Sequence, residues 1–201
     1  KQSTMCGNGG RCLIKFAHAL GIFKNHTSFE AIDGMHEGKI NEDQTVSLQM
    51  IDVNDIITID KNTYEINTGS PHYVSFCENL PSEIKSAGAK IRYSDPYKKD
   101  GINVNFAHSF NETIQVATYE RGVEDETFSC GTGVTATALA FAAKNNLSGN
   151  ISLIVETKGG ALSVLLSTTD ALTFNNIWLT GAAVKVFTGT IDVELTSHRH
   201  P

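Results

Sequence analysis

The chain is short of positive charge. Its 16 Lys and Arg face 22 Asp and Glu, a net charge of −6 with a pI near 5.6. That balance argues against nucleic acid or an anionic membrane as the main partner. Long hydrophobic runs are missing, so no transmembrane helix is expected. The opening residues lack the pattern of a signal peptide. Paired cysteines are missing too: Cys6, Cys12, Cys77 and Cys130 include no Cys-x-x-Cys, and their spacing is not that of a zinc site, so no metal is expected. Reduced thiols in a cytoplasmic protein are expected rather than a disulfide framework. The Asn-x-Ser/Thr sequons at Asn25, Asn111, Asn146 and Asn150 are then chance matches.

What is present is enough for a core. A hydrophobic content of 40% in 201 residues suits one large domain or two small ones. Two glycine-rich stretches, each headed by a cysteine, organise the chain: Met5-Cys6-Gly7-Asn8-Gly9-Gly10-Arg11 and Ser129-Cys130-Gly131-Thr132-Gly133. Each runs at once into a helix-forming segment, Arg11–Leu20 and Val134–Asn145. Each thiol therefore sits at a helix N-terminus, where unpaired N–H groups and the helix dipole favour negative charge and tend to lower a thiol pKa. The glycines let backbone approach a ligand, and their N–H groups can hold an anion. A single Cys-Gly-x-Gly is usually a turn with a buried thiol; two at opposite ends of the chain suggest two halves facing one ligand.

The spacing predicts a first helix over Gly9–Leu20, with Arg11, Lys15 and His18 as its polar stripe and Cys12 as a core thiol. Strands are expected at Phe29–Ile32, Gly38–Ile40 and Thr45–Met50, with a hairpin turn at Asp33-Gly34. Asp52–Ile59 reads as a crossover. Further strands are expected at Thr63–Asn67, Tyr73–Phe76, Gly101–Phe106 and Thr113–Tyr119, with a short helix at Pro81–Ala87. Glu124-Asp125-Glu126 reads as an acidic loop. Val134–Ala143 has only apolar or small residues and Thr, so it must be enclosed by other elements. Strands at Ile151–Glu156, Ala161–Ser167, Asn176–Leu179 and Ala183–Thr188, with a turn at Gly159-Gly160, can wrap it as a sheet around a central helix. Val186–Leu195 is expected to extend the sheet and Ser197–Pro201 to be a polar tail.

The cysteine stretches imply an internal pseudo-repeat. Residues 51–186 form a full copy, the second domain. Residues 1–50 with 187–201 form an incomplete first domain. Matching the copies leads to the expectation that about 60–70 residues belong upstream of Lys1.

Five separated motifs resemble diaminopimelate epimerase in family order and spacing: the two cysteine stretches, Gly69-Ser70-Pro71-His72, Asn103-Val104-Asn105-Phe106 and Glu120-Arg121-Gly122. Trp178-Leu179-Thr180-Gly181 followed by Ala183 is similar to that family's closing motif. Proline racemases share the fold but usually carry His where Asn8 stands, and the phenazine-biosynthesis branch lacks the cysteine pair. The resemblance implies an α/β fold of two pseudo-symmetric domains, each a mixed sheet rolled around a central helix, with the active site between them.

It also implies a cofactor-independent epimerase interconverting L,L- and meso-diaminopimelate in lysine and peptidoglycan precursor biosynthesis. Cys6 and Cys130 would be the acid/base pair, with sulfurs about 3–3.5 Å from the reacting carbon and so roughly 7 Å apart. Cys6 would take the proton from the L,L substrate. Gly7, Asn8, Gly131 and Thr132 would bind the substrate through the helix ends; Ser70, Asn103, Glu120 and Arg121 are the other implied contacts, Arg121 on the distal carboxylate. His72 beside Cys6 and Glu120 beside Cys130 would tune the thiols. Ser70 departs from the Asn common in the family, and a hydroxyl makes fewer bonds. His18, His36, His108, His198 and His200 match no functional position. A homodimer is compatible with the sequence, which does not fix the assembly. A racemase of the same fold acting on another amino acid, or an inactive fragment, are the competing readings.

Overall fold

The computed structural model describes residues 5–110 and 113–191. The chain opens on helix α1 (Gly7–Ala19), followed by strands β1 (His26–Ala31), β2 (Gly34–Ile40) and β3 (Val46–Gln49). Strands β4 (Ile56–Asp60), β5 (Thr63–Asn67) and β6 (Pro71–Phe76) lead to helix α2 (Ile84–Arg92). Then come β7 (Asn103–Phe110), β8 (Thr113–Glu120), β9 (Asp125–Thr127) and helix α3 (Gly131–Lys144). Strands β10 (Gly149–Thr157), β11 (Gly160–Thr168) and β12 (Asn175–Gly181) complete the described elements. The fold is a mixed α/β one, with a twelve-stranded sheet in the order β1-β2-β3-β12-β11-β10-β8-β7-β6-β5-β4, and β9 added to β8. The β6–β7 and β8–β10 pairs are parallel and the others antiparallel. β12 joins the early and late strands: Leu179 pairs Leu48 on β3 and Val164 on β11.

The sheet curls around α3, which touches β5, β6, β7, β8, β10 and β11. Eleven of its residues are buried, from Gly131 to Ala142. Gly, Ala and Thr let strands approach closely on every side, and Thr135 and Thr137 return their hydroxyls to the carbonyls of Gly131 and Gly133. The main core gathers Val134, Leu139 and Ala140 with Ile66, Val74, Ile114, Val155, Val164 and Leu166. A smaller cluster lies where α2 covers the outer face of β7 and β8, through Ile84, Val104, Phe106 and Tyr119. Gly88 lets α2 sit against the Tyr119 ring, because a Cβ there would collide with it.

Several expectations need correction. Helix α1 buries Gly7, Gly10, Arg11 and Ile14 against β2 and β3, so Arg11 of the expected polar stripe lies inside. Cys12 is exposed, and so are Leu13, Phe16 and Leu20, the second of these at 63%. Its packing face is thus the narrow one carrying small residues, where Leu48 leaves no space for a Cβ on Gly10. α2 begins after Pro81, at Ile84. The acidic loop contributes β9, paired with β8 through Glu120 and Asp125. The first hairpin turns on Ile32-Asp33, one residue earlier than expected, because Gly34 already pairs Ala31. No strand forms at 183–188; residues 182–191 run without regular structure. The extension and tail expected beyond 191 lie outside the described residues. None of the described helices is long and apolar enough to cross a membrane.

Candidate active site

Each cysteine occupies the N-cap position of its helix. Cys6 is extended (φ −121°, ψ 107°) before α1, and its sulfur accepts from the Gly9 N–H at 3.3 Å. Cys130 adopts nearly the same conformation (φ −116°, ψ 110°) before α3. The two helix starts meet: a Cβ on Gly7 would lie 3.1 Å from the Gly131 Cα. First-turn N–H groups have no partner within a helix, so both ends offer donors and positive potential to the same place.

That place is a cleft of about 200 Å³. Cys6, Gly7 and Asn8 line it from α1, and Cys130, Gly131 and Thr132 from α3. Ser70, Asn103, Glu120 and Arg121 complete the set that the motifs singled out, joined by Met5 and Ser129. Residues far apart in the chain converge because β6 and β7 begin, and β8 ends, beside the α3 N-terminus. Gly69, at φ +97°, makes the turn into Ser70, and the Thr68 hydroxyl ties that turn to the Thr132 carbonyl at 2.8 Å. The Asn103 amide donates to the Ser70 hydroxyl at 2.8 Å and accepts from the Arg121 N–H at 2.9 Å. Arg121 Nη1 donates to the Asp100 carbonyl at 2.9 Å, which anchors the guanidinium at the rim.

The two thiols differ in surroundings. Cys6 is exposed and Cys130 buried. Burial, helped by the Glu120 carboxylate, pushes the Cys130 thiol up to about 11, against the Gly133 N–H. A lowered value was expected for a thiol at a helix N-terminus; desolvation outweighs the helix end here. His72 lies behind the cleft wall rather than in it. Its Nε2 faces the Thr132 hydroxyl at 2.9 Å and its Nδ1 faces Asn105 Oδ1 at 2.9 Å. Burial lowers it to about 4; the Asn105 bond opposes this and the Arg121 charge adds to it. The hydrogen-bond path from His72 runs through Thr132 to Cys130, whose sulfur is 3.4 Å from that hydroxyl, and not to Cys6 as the resemblance implied.

The motifs left some supporting residues unassigned. Arg11 is buried; its Nη2 donates to Asn8 Oδ1 at 2.9 Å, and Asn8 Nδ2 donates across to the Ser129 carbonyl at 2.8 Å. Among the described residues no carboxylate pairs with Arg11. Burial works against its charge, whereas thiolate at Cys12 or Cys6 favours it. The signal for Asn105 was its i, i+2 spacing from Asn103, which puts both on one face of β7. Among the described residues no cluster of His, Cys, Asp or Glu is arranged to hold a metal ion.

Comparison with known proteins decides the family. Residues 64–186 match the diaminopimelate epimerase family. The chain is 50% identical over 192 residues to the diaminopimelate epimerase of Flavobacterium psychrophilum, spanning 94% of this chain and 74% of that protein. The chain belongs to the diaminopimelate epimerase family. The diaminopimelate epimerase of Chlorobaculum tepidum is 35% identical over 196 residues, covering 94% of this chain and 75% of that protein. Among solved structures, a hydroxyproline epimerase from Agrobacterium vitis superposes with TM-score 0.66 at 16% identity, covering 89% of this chain and 63% of that one. A phenazine-biosynthesis protein of Bacillus anthracis gives 0.64 at 14% identity, covering 89% and 73%. At such identities these neighbours show a shared fold and nothing of substrate. This member of the diaminopimelate epimerase family thus shares its fold with both of these proteins.

Proposed function

We propose that the chain interconverts L,L- and meso-diaminopimelate by a two-cysteine acid/base reaction. The observation that carries this is the meeting of two cysteine-capped helix ends in one cleft with Arg121 at its rim. The relatives named diaminopimelate epimerase supply the substrate.

In this reading the Cys6 thiolate removes the α-proton from the L centre and the Cys130 S–H delivers one from the opposite face. Negative charge passing onto the α-carboxylate meets the first-turn N–H groups of α1 and α3, with Asn8 and Thr132 beside them. Those dipoles take the part of an electron sink, so the scheme needs no pyridoxal group or metal. The guanidinium of Arg121 pairs with the distal carboxylate, with Asn103 and Ser70 next to it. Glu120 holds Cys130 protonated between turnovers. Residues 1–50 with 187–201 act as one domain and 51–186 as the other, closing on the substrate. The reaction takes place in the cytoplasm, and a homodimer is the assembly to test by light scattering.

Proton NMR of L,L-diaminopimelate with the protein in D2O tests the reading. Appearance of the meso isomer with deuterium at the inverted α-carbon is expected. No inversion of this substrate, alongside inversion of another amino acid, would replace the substrate assignment.

A further inference from the structure

Behind Cys130 runs a buried chain of polar groups. Asn105 Nδ2 donates to the Thr118 hydroxyl at 3.1 Å, across the β7–β8 pair. This turns Asn105 Oδ1 toward His72 Nδ1 at 2.9 Å. A carbonyl oxygen only accepts, so the His72 proton sits on Nδ1. His72 is fully buried, where a charged ring is costly, and its other nitrogen is therefore bare. Nε2 must then accept from the Thr132 hydroxyl at 2.9 Å. With its one proton committed, Thr132 can only accept from Cys130, 3.4 Å away. All five residues in the chain are buried.

We propose that Asn105, anchored by Thr118, is a positioning residue that acts through His72 and Thr132 to keep the proton of Cys130 on sulfur, so that this thiol enters the reaction as the acid. Each bond in the chain has a direction, and reversing any one reverses those beyond it. The other groups facing Cys130 are Glu120 from β8, Cys6 from the α1 cap and the Gly133 N–H from α3; facing His72 there is also Arg121. Glu120 and a Cys6 thiolate disfavour a second negative charge, in the same sense as the chain, whereas the Gly133 N–H opposes it. The reverse reaction needs Cys130 as thiolate, and Thr132 must then turn its proton away from His72. The proposal rests on the two-thiol reading above, but its tests need no turnover, so the two can fail separately.

The direct test is nitrogen-15 NMR of the His72 ring in the unsubstituted protein, from about pH 5 to pH 9. A neutral ring protonated at Nδ1 throughout is expected. A ring protonated at Nε2, or an imidazolium over that range, overturns the proposal. Asn105→Asp supplies the second test. A carboxylate facing Nδ1 favours imidazolium, whose Nε2–H donates to Thr132 and frees the Thr132 proton for the sulfur. In protein carrying Cys6→Ser, Cys12→Ser and Cys77→Ser, the pH dependence of Cys130 alkylation by iodoacetamide should move down by about one unit, roughly a tenfold gain in rate at neutral pH. An unmoved profile in a variant with native circular dichroism contradicts the proposal, because a purely structural Asn105 would behave that way.

Discussion

Gly7 and Gly131 lie back to back at the heads of their helices. A Cβ on Gly131 would fall 2.9 Å from the Gly7 Cα and 2.9 Å from the Leu179 side chain of β12. Only residues without a side chain let the two capped ends come together over that leucine. Gly131→Ala should therefore separate the thiols, lowering turnover about 100-fold and stability by about 1–3 kcal/mol. Steady-state kinetics and urea unfolding check both. Unchanged turnover would show that the close approach of the helices is not needed.

Asn8 spans the same junction, accepting from buried Arg11 and donating to the Ser129 carbonyl. Asn8→Ala leaves the guanidinium short of an acceptor and removes a link between residues 121 positions apart. A loss of about 1–3 kcal/mol in urea unfolding is expected, with loss of turnover in parallel.

Arg121 presents a planar fork whose Nη1 is fixed by the carbonyls of Asp100 and Gly101. Lysine cannot keep that anchor and meet a carboxylate in a bidentate way. Arg121→Lys should raise KM about tenfold or more while kcat changes less. A fall in kcat at unchanged KM would move Arg121 out of the distal-carboxylate role.

Stability should depend on pH through His72 and Cys130. His72 is held at about 4 in the fold against an ordinary 6.5. The unfolded chain takes up a proton below 6.5 that the native state refuses, so stability falls as pH drops from 6.5 toward 4, by on the order of 3 kcal/mol. Cys130, raised from 9 to about 11, acts at the other end: the unfolded thiol ionises first, and stability falls as pH rises from 9 toward 11. Urea midpoints across this range should show both limbs. His72→Asn should flatten the acid one.

Much of this was legible because the chemistry sits in short motifs. Cys-Gly-x-Gly before an apolar run marks a capped, enclosed helix, and α3 is one. Strand pairing was legible where alternation is clean, as in β5, whose bounds match the expectation residue for residue. What could not be read was which face of α1 packs. Arg11, Lys15 and His18 suggested the polar stripe, but contact with β2 and β3 runs through Gly10, Ile14 and Arg11 because the backbone comes so close. The link between His72 and Cys130 was hidden for a similar reason. It runs through Thr132, and Asn105 and Thr118 continue it beyond the ring; these groups meet only once β6, β7 and β8 pair beside α3. β9 was masked by acidic residues, which disfavour strands but pair here on an edge.

The central claim is that Cys6 and Cys130 act on opposite faces of one carbon. Deuterium uptake at the α-carbon of L,L- and meso-diaminopimelate, measured with Cys6→Ser and Cys130→Ser beside the unsubstituted protein, tests it most directly. Each variant should keep its fold and lose inversion by orders of magnitude. Inversion near the unsubstituted rate, with ordinary deuterium uptake, in either variant would contradict it.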